Sequence, residues 1–147
     1  MKVERPIGYW LKHLDALIEA AADRTFAEEQ LTRRHWQVMN ILSASPQEAS
    51  GLASAILPFM APGAITLEEV IGELSGRGWL TRDDAGRYRL TPAGQAGHAG
   101  LRENVAGIRA TLVTGLTQQD YVATVRALER MAENLERTAG QDRPAAA

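Results

Sequence analysis

The stretch RGWLTRDDAGRYRLTPAG, residues 77–94, decides the fold. Glycines on either side of Arg77 end a helix, and a short extended segment from Trp79 to Arg82 follows them. A turn over residues 83–86 leads into a return strand, and a new helix begins at Thr91-Pro92. The pattern predicts a two-stranded ribbon, a wing, between two helices. Because such a ribbon is marginal on its own, its arginines are candidates for binding something outside the protein core: Arg82, Arg87 and Arg89.

The composition is that of an ordinary globular chain. Its 147 residues are 45% hydrophobic and 23% charged, which predicts one domain over residues 1–138. There is no cysteine, so disulfides, thiolate metal sites and cysteine redox sensing are excluded. The N-terminal residues lack the apolar core of a signal peptide, and no run approaches the roughly 18 apolar residues of a membrane span. We therefore expect a cytoplasmic protein.

Apolar periodicity predicts helices on both sides of the wing. The first spans about 6–24, and the second begins after Thr32 as N-cap. A short third helix covers about 48–59. The fourth has the best start signal, a capping box of Thr66 with Glu69. After the wing, two long helices extend to about residue 137, and the tail 139–147 is expected to be disordered. The glycines of the fifth helix lower its intrinsic stability, which is tolerable where another helix packs closely.

The order of these elements resembles the MarR family of bacterial transcription regulators. The resemblance depends on LTRRHWQVMNIL (residues 31–42), LSGRGWL (74–80) and LTPAG (90–94), and it covers about residues 6–137. It implies a mainly α fold with a small two-stranded β wing: a winged helix-turn-helix core over about 31–92, flanked by N- and C-terminal dimerisation helices over about 6–24 and 92–137. It also implies a homodimer that docks on a pseudo-palindromic operator in double-stranded DNA.

Apolar stripes on the terminal helices agree with a dimer, because a small winged domain cannot cover them all. The alternative is that these residues only close the core of the monomer. The candidate interface residues are Ile7, Trp10, Leu11, Leu128, Met131 and Leu135.

The candidate DNA-binding residues lie on four elements. N-terminal residues of the fourth helix face base edges in the major groove, and the wing follows the minor groove or its phosphates. Two arginines in the first turn of the second helix are placed where the helix dipole disfavours cations, so they either bind phosphate or form a solvated pair. Ser50 either donates to a phosphate or is an N-cap. The full set is Arg33, Arg34, Ser50, Thr66, Glu68, Arg77, Arg82, Arg87 and Arg89.

Two features depart from the family pattern. The fourth helix carries glutamates rather than Ser, Thr, Arg or Lys, although Glu69 has a structural role in the capping box. The wing, with Asp83 and Asp84 before Arg87, is shorter than usual. A formal net charge of -2 is also unusual for a DNA-binding domain. The alternative function is a winged-helix dimer that has lost DNA binding and serves as a protein-interaction or effector-binding module.

The remaining motifs exclude most other functions. The three histidines lie on different predicted helices, without the spacing of a metal site, and there is no phosphate loop or nucleophile elbow. We expect no enzyme activity, no metal and no cofactor. Aromatic and histidine side chains on the first two helices either line a pocket for a small-molecule effector or belong to the core. The candidate pocket residues are Trp10, His13 and Trp36.

Overall fold

The computed structural model describes residues 4–141. It confirms the predicted fold class, mainly α with a two-stranded wing. The helices are α1 (Ile7–Phe26), α2 (Arg33–Ala44), α3 (Ala49–Ile56), α4 (Leu67–Gly76), α5 (Pro92–Leu112) and α6 (Gln118–Gln141). The strands are β1 (Leu80–Arg82) and β2 (Tyr88–Leu90), and short 3-10 turns occupy Ala27–Glu29 and Leu57–Phe59.

The chain packs as two compact units that divide within α5, after Ile108. The first unit holds the winged helix, and the second holds the end of α5 and all of α6. That both belong to the one domain predicted over residues 1–138 stays a prediction.

Helices α2, α3 and α4 supply the centre of the first unit's core. Val38, Met39, Leu52 and Leu74 are fully buried there, and each such side chain contributes about 1.5–3 kcal/mol to folding. This burial explains why α1 extends to Phe26, beyond its predicted end, because Phe26 lies in the same core. The other core residues are Ala22, Leu31, Leu42, Ile56, Val70, Leu80, Leu90 and Leu101.

The predicted helix starts at Thr32 and Thr66 are confirmed, with different partners. Thr32 Oγ1 accepts the Arg34 N–H at 3.2 Å, and His35 completes the capping box through its side chain. Thr66 Oγ1 accepts the Glu69 N–H at 3.2 Å. The Glu69 carboxylate bonds to the Thr66 hydroxyl rather than to the backbone N–H that a full capping box requires. Both caps satisfy backbone donors that a helix start leaves open.

The wing is an antiparallel pair with Leu80 opposite Leu90 and Arg82 opposite Tyr88. Leu80 and Leu90 are buried, so the base of the wing belongs to the core. Gln47, in the loop between α2 and α3, adds an isolated bridge by exchanging two backbone hydrogen bonds with Tyr88, at 3.0 and 2.8 Å. The wing is therefore better anchored than an isolated hairpin would be.

Two glycines of α5 are required by the wing rather than by another helix. A Cβ on Gly94 would lie 2.1 Å from the Trp79 carbonyl oxygen, and one on Gly97 would lie 2.8 Å from the Trp79 indole. The expectation that a neighbouring helix explains these glycines is wrong for both positions. Instead, α5 lies directly on the residue that leads into β1.

The second unit contains α6, whose start is fixed by a reciprocal cap. The Thr117 N–H donates to Asp120 at 2.9 Å, and the Asp120 N–H donates to Thr117 Oγ1 at 3.0 Å. The hydrogen bonds from Thr117 lower the pKa of Asp120. Helix α6 continues to Gln141, so residues 139–141, predicted to be disordered, are helical. The rest of the predicted tail, 142–147, lies outside the described residues.

Candidate nucleic-acid interface

The exposed face of α4 consists of polar and acidic residues. Val70 and Leu74 are buried, whereas Glu68, Gly72 and Ser75 are exposed. Thr66, the N-cap, is exposed as well. The predicted candidates Thr66 and Glu68 are therefore accessible to a partner at the start of the helix, but the outward face of α4 carries no cation.

The carboxylates of α4 differ in what they bind. Glu69 is bonded to the Thr66 hydroxyl at 3.2 Å. Glu73 accepts from Nε2 of the buried His35, 2.5 Å away on α2. Glu68 has no side-chain partner within residues 4–141. Among the carboxylates of α4, only that of Glu68 is therefore without a partner in the described residues.

The wing holds its arginines in different states. Arg82 lies over the Tyr88 ring, 4.5 Å from its centroid, and bonds to the Tyr88 hydroxyl. Arg87 Nε donates to Asp83 Oδ2 at 3.0 Å. Arg89 is exposed, and its side chain has no hydrogen-bond or ion-pair partner in the described part of the chain. Of the wing cations, Arg89 is the one most available to an anion.

Asp83 organises the wing turn rather than opposing DNA. Its Oδ1 accepts the backbone N–H groups of Ala85 and Arg87, at 3.0 and 2.9 Å. The hydrogen bond from the Arg87 backbone, with the charge of the Arg87 guanidinium, lowers the pKa of Asp83. Gly86 completes the turn with φ of 78°, a conformation that glycine adopts without strain.

Arg77 is exposed but bonded to partners inside the protein, and its role as a DNA contact stays a prediction. Its guanidinium donates to the backbone oxygens of Glu29 and Gln30, at 2.5 and 3.3 Å. It also lies over the Trp79 ring, 5.4 Å from the ring centroid. Gln30 has φ of 57°, and Arg77 satisfies carbonyl groups at this left-handed turn. Its first role is therefore structural.

Arg33 and Arg34 form ion pairs inside the protein, so the interpretation as a solvated pair is wrong, while their contact with phosphate stays a prediction. Arg33 bonds to Asp15 and Glu19 of α1, at 3.1 and 2.8 Å, and Arg34 bonds to Glu19 at 3.0 Å. Their side chains are only 17% and 12% exposed. Although burial alone lowers it, hydrogen bonds to Glu19 and Asp15 raise the pKa of Arg33 overall. The anions that explain their unfavourable helix position are internal.

Ser50 is exposed in the first turn of α3, and Glu48 rather than Ser50 is the N-cap residue. The cap interpretation of Ser50 is therefore wrong. Its hydroxyl has no partner within residues 4–141, so it stays a candidate for a phosphate contact.

The predicted dimer residues are mostly exposed in the single chain. On α1, Ile7, Trp10 and Leu11 are 52%, 54% and 45% exposed. On α6, Met131 and Leu135 are exposed and Leu128 is half-buried. Helix α6 has no buried residue along its described length. Each helix thus presents an apolar face that its own unit leaves uncovered.

The three predicted pocket residues fall into two separate groups. Trp10 and His13 lie together on α1, with ring centroids 6.3 Å apart. Trp36 instead stacks on His98, 4.9 Å away with 3° between the rings, and packs against the core. Sequence reasoning missed His98, which is buried and donates through Nε2 to Asn40 Oδ1 at 3.2 Å. Burial, with the charge of Arg102, lowers its pKa.

Neither a membrane segment nor a metal cluster is found in the part of the chain that the structure describes. No helix between residues 4 and 141 is long and apolar enough to cross a bilayer. Across the same residues, no group of three His, Asp or Glu side chains is placed to bind a metal ion.

Comparison with known proteins identifies the fold. No protein-family model matches the chain, and no curated protein matches it in sequence. Many solved structures do match. One is BpsR of Bordetella bronchiseptica, solved to explain how 6-hydroxynicotinic acid regulates its DNA binding. It is 22% identical, with a TM-score of 0.72, over 90% of this chain and 96% of that one.

Two further matches are described as MarR family proteins. Rv2887 of Mycobacterium tuberculosis, solved in complex with DNA, is 22% identical with a TM-score of 0.68, over 87% of this chain and 98% of its own. A transcriptional regulator from Silicibacter pomeroyi is 22% identical with a TM-score of 0.70, over 86% of this chain and 88% of its own. The chain therefore has the winged helix fold of MarR-family regulators, as its sequence predicts.

Proposed function

We propose that this protein is a transcription regulator that binds double-stranded DNA as a homodimer on a pseudo-palindromic operator. Helix α4 enters the major groove with Thr66 and Glu68 at its leading end, and the wing places Arg89 on the minor groove or its phosphates. Ser50 contributes a hydroxyl to the DNA backbone. Arg82 and Arg87 extend the cationic edge of the wing.

The observation that carries this proposal is the exposed, unpaired Arg89 on an anchored ribbon beside a capped helix. Phosphate neutralisation supplies most of the affinity of a DNA-binding protein, and a cation without an internal partner is free to provide it. Glu73 is bonded to His35, so it opposes DNA less than its charge suggests. Rv2887, which has the same fold, was solved in complex with DNA, and this supports DNA as the partner.

The homodimer follows from the uncovered apolar faces of α1 and α6. Exposed apolar patches of this kind mark interfaces in soluble proteins, and a two-fold dimer buries the same patch of both subunits. Two linked winged helices also match two half-sites about one helical turn apart. Sedimentation of the protein across concentrations should give a dimer, and the substitution Leu135→Asp, at the most exposed of these residues, should shift it toward monomer.

Response to a small-molecule effector completes the proposal. Its support is the relative BpsR, whose DNA binding is described as regulated by 6-hydroxynicotinic acid. In this chain the candidate residues are Trp10 and His13 on α1. A ligand would act by preferring the dimer geometry in which the two winged helices do not fit both half-sites.

A titration across salt concentrations tests DNA binding directly. The probe is a labelled duplex of about 30 bp, three helical turns, enriched from a random pool by the protein itself. We expect log K to fall with log salt, with a slope that reports several phosphate contacts. A weak response with no salt dependence would contradict the proposal.

The second candidate function is a winged-helix dimer that binds a protein or effector instead of DNA. The specific observation in its favour is the outward face of α4, which exposes Glu68 and Glu69 and no cation. Under this function, the enriched pool would show no common sequence and the titration no salt slope, while the dimer would persist.

A further inference from the structure

His35 connects α2 and α4, two helices of the winged helix. It lies at the third position of α2 and is only 1% exposed. Its Nδ1 lies 3.0 Å from the Thr32 backbone nitrogen and 2.9 Å from the Thr32 hydroxyl. Its Nε2 lies 2.5 Å from Glu73 Oε2, on the last turns of α4. Both ring nitrogens therefore have a partner, Nδ1 at the start of α2 and Nε2 on α4.

The geometry fixes the tautomer of the ring. A backbone N–H can only donate, so Nδ1 must be the acceptor and Nε2 must carry the proton. The Thr32 hydroxyl accepts from Arg34, and its oxygen lies 2.9 Å from Nδ1. The Nε2–H then donates to the Glu73 carboxylate, which can only accept. Both ring nitrogens of His35 therefore have a hydrogen-bond partner of the right kind, as buried polar groups require.

Glu73 occupies a position that this bond explains. A carboxylate near the C-terminal end of a helix is disfavoured by the helix dipole. Two other α4 carboxylates, at Glu68 and Glu69, lie in the first turn, where the dipole favours them. The Glu73 side chain is 53% exposed, so without His35 it would be free to turn outward on the helix that faces DNA.

We propose that His35 is a positioning residue that sets α4 through Glu73 and holds this carboxylate back from the DNA phosphates. The setting of α4 is a property of the free protein, and its effect on DNA rests on the proposed function. His35 itself is buried and touches no DNA. An effect on DNA affinity from a residue that cannot reach the DNA is the signature of this role.

The substitution His35→Asn separates the two halves of the connection. An asparagine oxygen can still accept the Thr32 N–H, so the cap of α2 is kept, but the side chain is too short to hold Glu73. We expect binding to the enriched duplex to weaken about tenfold. Adding Glu73→Gln to this variant removes the released charge and should recover most of the loss. The matched control is Gln95→Asn, at an exposed amide of α5, which should change nothing.

The recovery distinguishes positioning from mere structural support. If His35 only stabilised the fold, the double variant would bind as poorly as His35→Asn, and that result would overturn the proposal. Glu73→Gln alone keeps an oxygen for the Nε2–H and should bind DNA within about twofold of wild type.

Measurements on the free protein decide the positioning role without DNA. Nitrogen NMR of the His35 ring should show an unprotonated Nδ1 and a protonated Nε2, and hydrogen exchange in α4 should become about tenfold faster in His35→Asn. An unprotonated Nε2, or unchanged exchange in α4, would refute it. If the wild type fails to bind DNA while both measurements come out as expected, the proposed function fails and the positioning of α4 stands.

Discussion

The arginine pair of α2 and Arg89 of the wing have opposite surroundings in the fold. Arg33 and Arg34 are mostly buried, and the carboxylates of Asp15 and Glu19 lie within 3.1 Å of them. Arg89 on β2 is exposed, and no described side chain bonds to it. The first pair holds α1 against α2, whereas the wing residue is free to meet an external anion.

A charged side chain at an unfavourable helix position therefore indicates that an oppositely charged partner exists, but not whether that partner lies inside the protein or outside it. Two cations in the first turn of a helix predict nearby anions. In this protein the anions are 14 to 18 residues upstream on α1, not on a nucleic acid. Under the proposed function, the charge that meets DNA therefore comes from the wing. Three changes test this comparison: displacing the wing, removing its free cation, and opening the α1–α2 pairs.

The largest effect is expected from Gly94→Ala, which displaces the wing alone. The new Cβ would lie 2.1 Å from the Trp79 carbonyl oxygen, a backbone atom that cannot yield without moving β1. Overpacking of this kind should lower the free energy of unfolding by about 3 kcal/mol, measured by urea denaturation. DNA binding should be lost with it.

The control for this variant is Gly100→Ala in the same helix. Nothing lies within 4 Å of the added Cβ at Gly100, so alanine should raise stability by up to about 1 kcal/mol through helix propensity. If Gly94→Ala proved as harmless as Gly100→Ala, the close contact between α5 and Trp79 would be wrong.

Arg89→Ala removes the free wing cation and should affect binding without affecting folding. With one wing on each subunit, we expect DNA affinity to fall because two phosphate contacts are lost. The slope of log K against log salt should also decrease by about two. The melting temperature should stay within about 1 °C of wild type, since surface substitutions rarely change stability by more than about 0.5 kcal/mol. An unchanged salt slope would remove Arg89 from the interface.

Arg34→Ala tests the other side of the comparison. It breaks a pair with a partly exposed Glu19, so the free energy of unfolding should fall by about 1 kcal/mol. The salt slope of DNA binding should not change, because this guanidinium is bonded to Glu19. A reduced slope with normal stability would place Arg34 in the interface.

Local signals in the sequence predicted the elements well, for a physical reason. Caps at Thr32, Thr66 and Thr117 act within three residues, and the wing turn is closed by Asp83 and Gly86 within its own loop. Such contacts are written in short stretches of sequence. The order of elements then restricted the fold, because few architectures place a ribbon between a capped helix and a long one.

Long-range partners were beyond sequence reasoning. The bonds of Arg33 to α1, of Arg77 to the turn after α1, and of His35 to Glu73 join residues 14 to 48 positions apart. Propensity and periodicity carry no information about such pairs. The glycines of α5 did signal a close contact, but their spacing could not identify Trp79 as the neighbour.

The smallest effect is expected at His98, a buried base that lacks the carboxylate which Arg33 has. Burial, with the charge of Arg102, holds the pKa of His98 below its usual 6.5. The unfolded chain therefore takes up this proton first as pH falls below about 6.5, and the folded state loses stability over that range. The substitution His98→Gln keeps a donor for Asn40 and removes the titrating group.

Urea denaturation at several pH values between about 7 and 5 should therefore show a shallower loss of stability in His98→Gln than in wild type. The control Asn104→Gln, at an exposed amide of the same helix, should keep the wild-type pH dependence. Arg33 has carboxylate partners and stays charged, whereas His98 has only an amide partner. Parallel profiles for wild type and His98→Gln would mean that the pKa of His98 is the same in the folded and the unfolded protein. The difference between basic side chains with and without a carboxylate partner would then be limited to the arginines.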